Sequence, residues 1–235
     1  MSKDKKININ SEVKKIGLEF GIETYPELSA DNVKKVHNYV VNISSYAGKN
    51  TGNHVEKYFK EHAGDVDLAV VVTKVTLVDS TDSTNLLRLL GRNGYERMAK
   101  RIIESKVEDL IKNGEPIDDR MIEYLSKWTR TKNGKEESLN LFIFISKYIT
   151  RTSTYSYGGN CYSIMDNVVK KNLSLYNDKN KGIVIPSLET LRKTYRYKTY
   201  CEIMGEIANK LGVTREMLDH FIWFVFKEEA SADRV

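Results

Sequence analysis

Residues 66–78 read VDLAVVVTKVTLV, and whether this run is a strand or a helix decides the fold. Valine and threonine favour a strand by propensity, but the run is longer than a typical strand and helical patterns flank it on both sides. It is therefore read as a buried helix. Lys74 interrupts it, as Lys147 interrupts the apolar stretch 139–149, so no run reaches the roughly 18–20 apolar residues of a membrane helix.

Working outward, Val33, Val36, Val40 and Ile43 recur at helical spacing behind an Asp31 cap, and Tyr95, Met98, Ile102 and Ile103 do so further on. Met121, Leu125 and Trp128 mark a short helix after Asp118. Leu188, Leu191, Met204, Ile207 and Leu211 fit one long helix, capped by Ser187 and closed by Gly212 in the left-handed position. A last helix from Thr214 carries Leu218, Phe221, Ile222, Val225 and Phe226 around much of its circumference, which predicts burial. Asn133-Gly134 and Gly158-Gly159-Asn160 mark turns. The expected fold is all-α with two intertwined helical lobes: residues 1–64 form a helical segment of one lobe, 65–228 the core, and 229–235 a flexible tail.

Composition limits the function. In 235 residues, 40% are hydrophobic and three are proline, which excludes a disordered or collagen-like chain. The start lacks an apolar segment of the secretory kind, so a cytoplasmic monomer is expected. Cys161 and Cys201 are too few for a disulfide framework or a four-ligand zinc site, and His37, His54, His62 and His220 are scattered, so neither metal nor cofactor is expected.

The net charge of +5 says little, but its distribution says more. Between Lys170 and Tyr200, Lys170, Lys171, Lys179, Lys181, Arg192, Lys193, Arg196 and Lys198 face only Asp178 and Glu189. Tyr176, Tyr195, Tyr197 and Tyr200 are interleaved, and cations with stacking surfaces suit a nucleic-acid groove; a solvated helix face is the plainer alternative.

Two residues are candidates for chemistry. Lys147 lies in LNLFIFISKYI, and a lysine held near a low-dielectric core is a candidate nucleophile, because burial disfavours an ammonium; the plainer reading is a lysine snorkelling to solvent. Asp166, nineteen residues on, precedes NVVKKNLSLY, where an N-cap is the plainer role.

A lysine followed after nineteen residues by an aspartate at a helix start resembles the helix-hairpin-helix DNA glycosylases, most closely the 8-oxoguanine DNA glycosylase branch. The stretch 80–89, STDSTNLLRL, is similar to that family's polar corner running into an aliphatic-x-Arg-aliphatic helix. The resemblance spans roughly residues 65–226, and the first 60 residues match only as helices. It implies an active-site cleft between the two lobes, with Lys147 as nucleophile and Asp166 as its acidic partner. It also implies that Ser83, Thr84 and Asn85 fill the gap left by a flipped base, that Arg88 meets the orphaned base, and that Phe221, Trp223 and Phe226 are candidates for the base pocket. The implied partner is double-stranded DNA holding a modified base, either oxidised guanine or a hypermodified base in foreign DNA.

Where the family's hairpin carries Gly-Val-Gly, this chain has Ser138-Leu139-Asn140-Leu141-Phe142, so the basic segment 170–200 is expected to take over the phosphate contacts. Two other readings are weighed. Gly64-Asp65-Val66-Asp67 resembles the acidic opening strand of a metal-dependent nuclease, and a glycosylase-like scaffold can also serve as a non-catalytic DNA-binding or defence module.

Overall fold

A computed structural model describes residues 9–21, 23–42, 49–82, 84–178 and 182–227. Residues 68–78 are helical, as expected, within α3, which spans Leu68–Asp82. Asp67 accepts the amide hydrogens of Ala69 (2.8 Å) and Val70, and so caps the helix start. The acidic strand required by the nuclease reading is thereby replaced by a cap and a helix.

Among the described residues eleven further α-helices are formed: α1 Ala30–Asn42, α2 Lys49–Glu61, α4 Leu86–Leu90, α5 Gly94–Ser105, α6 Val107–Asn113, α7 Asp119–Ser126, α8 Phe142–Tyr157, α9 Asn167–Asn172, α10 Leu188–Lys193, α11 Tyr197–Leu211 and α12 Arg215–Phe226. Asp118, Ser187 and Thr214 each cap a helix through the side-chain oxygen. Asp31 lies inside the first turn of α1 instead, and Ser29 Oγ accepts the Asn32 amide at 3.3 Å. Ile43 and the tail 229–235 lie outside the described residues.

Two further expectations are corrected. The fold is mostly helical, but Lys127–Lys132 (β1) and Lys135–Asn140 (β2) form an antiparallel hairpin around Asn133-Gly134, with Trp128 opposite Leu139. Trp128, expected at the end of a helix, is therefore a strand residue. The single helix expected between Ser187 and Gly212 is two, because Tyr195 takes a left-handed φ of 57° and the Arg196 amide turns back to Leu191 O at 2.9 Å.

The core is organised around α8, which packs on α2, α3, α6 and α7, and around α12, which packs on α1, α9 and α11. The N-terminal segment joins the second group: Asn10 N and Nδ2 donate to Val225 O (2.9 Å) and Phe224 O (3.1 Å). The amphipathic helices bury their apolar stripes against the two central helices, which removes them from water. No described helix is long and apolar enough to cross a membrane.

Candidate active site

α8 places three groups close together. Lys147 is 9% exposed, and its Nζ donates to the backbone O of Asp82 at 2.8 Å. One turn on, Arg151 grips the same residue by its carboxylate, Nη2 to Oδ1 at 3.1 Å and Nε to Oδ2 at 3.3 Å. Burial opposes the Arg151 charge, but Asp82, with smaller contributions from Tyr155 and Asp219, outweighs it and holds the guanidinium above its usual range. The end of α3 is thus tied to α8 by both a lysine and an arginine.

The third group is Ser146, whose Oγ accepts the Met165 amide at 3.1 Å. This contact brings the chain entering Asp166 against the residue that precedes Lys147. Three more side chains fix the same segment: Tyr197 donates to Ser163 O (3.0 Å), Tyr200 donates to Ile164 O (2.6 Å), and Asp219 Oδ2 accepts the Ile164 amide (3.2 Å). Asp166 then caps α9, its Oδ1 accepting the Val169 amide at 2.8 Å. Among the described residues no ion pair joins Lys147 to Asp166.

Asp219 is the notable residue that sequence reading passed over. Its Oδ1 is buried without a hydrogen-bond partner. Burial pushes its carboxyl well above the usual range; the Ile164 amide and Arg151 pull the other way, while the nearby charge of Asp166 adds to the rise. Arg151, Asp166 and Asp219, from three different elements, therefore share one electrostatic neighbourhood. The available sequence signal was weak: Arg151 lies four residues after Lys147 and so on the same helix face.

Next to Asp219, the His220 ring stacks on His37, with the two Nδ1 atoms 3.0 Å apart. Burial, then the charges of His37 and Arg151, lower the His220 pKa to about 4 from 6.5. Between those values the unfolded chain binds a proton that the folded chain refuses, so this group's contribution to stability falls as pH is lowered through that window, by at most roughly 3 kcal/mol. Asp219 acts in the opposite sense above the ordinary aspartate pKa. The difference between wild type and His220→Gln isolates the histidine: their melting temperatures should converge as pH falls from 6.5 towards 4. Parallel curves would show that His220 titrates normally.

Of the expected corner, Ser83 lies outside the described residues. Thr84 donates its hydroxyl to Asp79, whose carboxylate also accepts the Leu86 amide (2.7 Å) and the Tyr95 hydroxyl (2.8 Å). Burial works to raise the Asp79 pKa, but these donors outweigh it and hold it down. Asn85 takes a left-handed φ of 57° and opens α4, on which Arg88 is exposed and makes no ion pair among the described residues. Leu87 beside it is exposed too.

The basic segment is partly self-neutralised. Glu189 gathers Arg192 (2.8 Å), Lys170 (2.9 Å) and Lys193 (3.7 Å), and the first two hold its carboxyl down to about 2. Arg196 pairs with Asp119 at 3.1 Å. Lys171 and Lys198 are exposed and make no ion pair among the described residues, and Lys179 and Lys181 lie outside them.

Of the three pocket aromatics, Phe221 and Phe226 are core residues, packed on Tyr176, while Trp223 is partly exposed with Lys227 Nζ 4.0 Å from its ring centroid. α12 is apolar on most sides, so only one of its aromatics is left on the surface. A separate cavity of about 240 Å³, lined by Pro116, Cys161, Tyr162, Lys198, Glu202 and Arg215 among others, includes neither Lys147 nor Asp166. Among the described residues no His, Cys, Asp and Glu cluster is arranged to hold a metal ion.

A family model named HI_0787_N and described as an N-terminal domain matches residues 34–155, a little over half of the chain. The matched span includes Lys147 and the Asp79–Arg88 corner and ends before Asp166. No curated protein and no solved structure matches the chain.

Proposed function

The chain belongs to the HI_0787_N family, and for this member of it we propose a DNA glycosylase, with or without strand-cleaving lyase activity, that excises a modified base through Lys147 and Asp166. The reading is supported by one observation above the others: Ser146 ties the segment entering Asp166 to the α8 turn that bears Lys147. The helices grouped around α8 and those grouped around α12 would be the two lobes, with the reacting groups where they meet.

In this mechanism the base is first extruded, at a cost of a few kcal/mol that is smallest for a damaged base. The Lys147 amine, free of its Asp82 carbonyl, attacks the sugar C1′. An N–C1′ bond forms, the glycosidic C–N bond breaks, and the base leaves with the electron pair and takes up a proton. The amine gives up its own proton, opening of the sugar ring yields a Schiff base, and that species permits elimination of the 3′ phosphate. Asp166 stabilises the developing positive charge on the sugar or accepts the amine proton. Oxidised guanine and hypermodified bases of foreign DNA are the substrate classes in view, in repair or in defence.

The test is borohydride trapping on duplexes bearing a panel of modified bases, in the presence of a chelator. A covalent adduct with one of them is expected. A second reading, a DNA-binding module without excision, is favoured by the engagement of the Lys147 amine with a backbone carbonyl, and it predicts duplex binding with no adduct on any substrate.

A further inference from the structure

The β1–β2 hairpin holds an arrangement that works against its own stability. Lys132 and Lys135 are direct cross-strand partners on either side of Asn133-Gly134. Both are exposed, and neither makes an ion pair among the described residues. Like charges placed directly opposite each other destabilise a ribbon. A neighbouring position shows the ordinary solution, since Arg130 opposes Glu137 with Nη2 to Oε2 at 2.7 Å. The remaining acid, Glu136, opposes Thr131, one register step from the lysine pair and therefore on the other face.

The base of the hairpin is anchored in the core. At its base Trp128 and Leu139 are buried opposite each other, the Trp128 indole N–H donates to Leu125 O (2.8 Å), and the Arg101 guanidinium lies 3.7 Å from the Trp128 ring centroid. The Leu141 amide closes the base on Ser126 O at 2.8 Å. Asn140 fixes both directions of travel: its Oδ1 accepts the Phe142 amide at the start of α8, and its Nδ2 donates to Arg192 O on α10 at 3.1 Å. The hairpin therefore leads straight into the helix of Lys147 and rests on the helix of Arg192 and Lys193. Six residues of strand carry the tip roughly 20 Å from that base.

We infer that this hairpin is a clamp for double-stranded DNA, with Lys132 and Lys135 contacting backbone phosphates and an exposed two-stranded ribbon of a width the major groove admits. A polyanion removes the repulsion that the free hairpin bears, which gives the pair a use that folding alone does not. The inference rests on the DNA-directed reading above but not on its chemistry.

The test uses the full chain and an unmodified duplex of about 20 base pairs, with affinity measured over a salt series. Lys132→Gln/Lys135→Gln should weaken binding by about tenfold and reduce the salt slope by about 2, one for each phosphate no longer neutralised. Lys135→Glu should weaken binding while leaving the melting temperature equal or higher, because it supplies the missing cross-strand ion pair. Unchanged affinity and slope in both variants would overturn the clamp, as would tighter binding of wild type to RNA than to duplex DNA. Hairpin-dependent duplex binding without any trapped adduct would sink the glycosylase chemistry and leave the clamp; adduct formation that is insensitive to the hairpin would do the reverse.

Discussion

Lys147→Gln should abolish borohydride trapping completely on whichever substrate wild type traps, with little change in melting temperature. Glutamine retains an N–H donor for the Asp82 carbonyl, so the tie between α8 and α3 is kept while the nucleophile is removed. The companion variant separates structure from chemistry at the other residue. Asp166 caps α9, and asparagine is as good a cap as aspartate, so Asp166→Asn should fold normally yet lose about 10²–10³-fold in excision rate with the carboxylate charge. Asp166→Ala should in addition lose about 1 kcal/mol of stability. An adduct trapped undiminished in Lys147→Gln would show that another amine, or none, does the chemistry. A normal excision rate in Asp166→Asn would reduce that residue to its cap.

The parts of the fold legible in the sequence were those governed by local periodicity and capping. Val33 and Val36, or Met98 and Ile102, repeat at 3.6-residue spacing, and each pair is buried. Ser187, Thr214 and Gly212 take the cap positions their chemistry favours. What was missed carries no periodic apolar signal. The hairpin strands KWTRTK and KEESLN lack an alternating apolar pattern; apart from the Asn-Gly turn, the hairpin is secured by the Trp128–Leu139 and Arg130–Glu137 pairs, which exist only once the strands meet. The break at Tyr195 has neither glycine nor proline to announce it.

The site divides in the same way. The pairing of Lys147 with Asp166 is what the family resemblance implies. The tie of both Lys147 and Arg151 to Asp82 joins residues 65 and 69 positions apart, and Asp219 holds a segment 55 residues upstream. No local pattern encodes such ties.

Lys74 shows how the residue that argued against a membrane span becomes a keystone of the core. It is fully buried, and its Nζ donates to Glu108 Oε2 at 2.9 Å and Oε1 at 3.2 Å, while the Tyr148 hydroxyl donates to Oε1 at 2.5 Å. Burial and the neighbouring carboxylate push Tyr148 well above the usual tyrosine range, which keeps it a donor at every working pH. The three residues come from α3, α6 and α8, so one polar triad joins the helices that carry Asp82 and Lys147. Taking two charges out of water costs several kcal/mol each, and the pair survives because each charge satisfies the other.

Lys74→Met should therefore cost about 3–5 kcal/mol, a fall on the order of 10 °C in melting temperature, because Glu108 is left buried with only a phenol. Glu108→Leu alone should cost a similar amount by stranding the ammonium. The triple variant Lys74→Met/Glu108→Leu/Tyr148→Phe, which also removes the last unmatched donor, should recover most of that deficit, since apolar side chains of similar volume replace a buried ion pair at little cost. Denaturant melts of the single and combined variants measure the coupling directly. Effects that simply add would mean the charges are solvated and the triad holds nothing together. Strong coupling would show that α3, α6 and α8 are joined from inside the core by this triad.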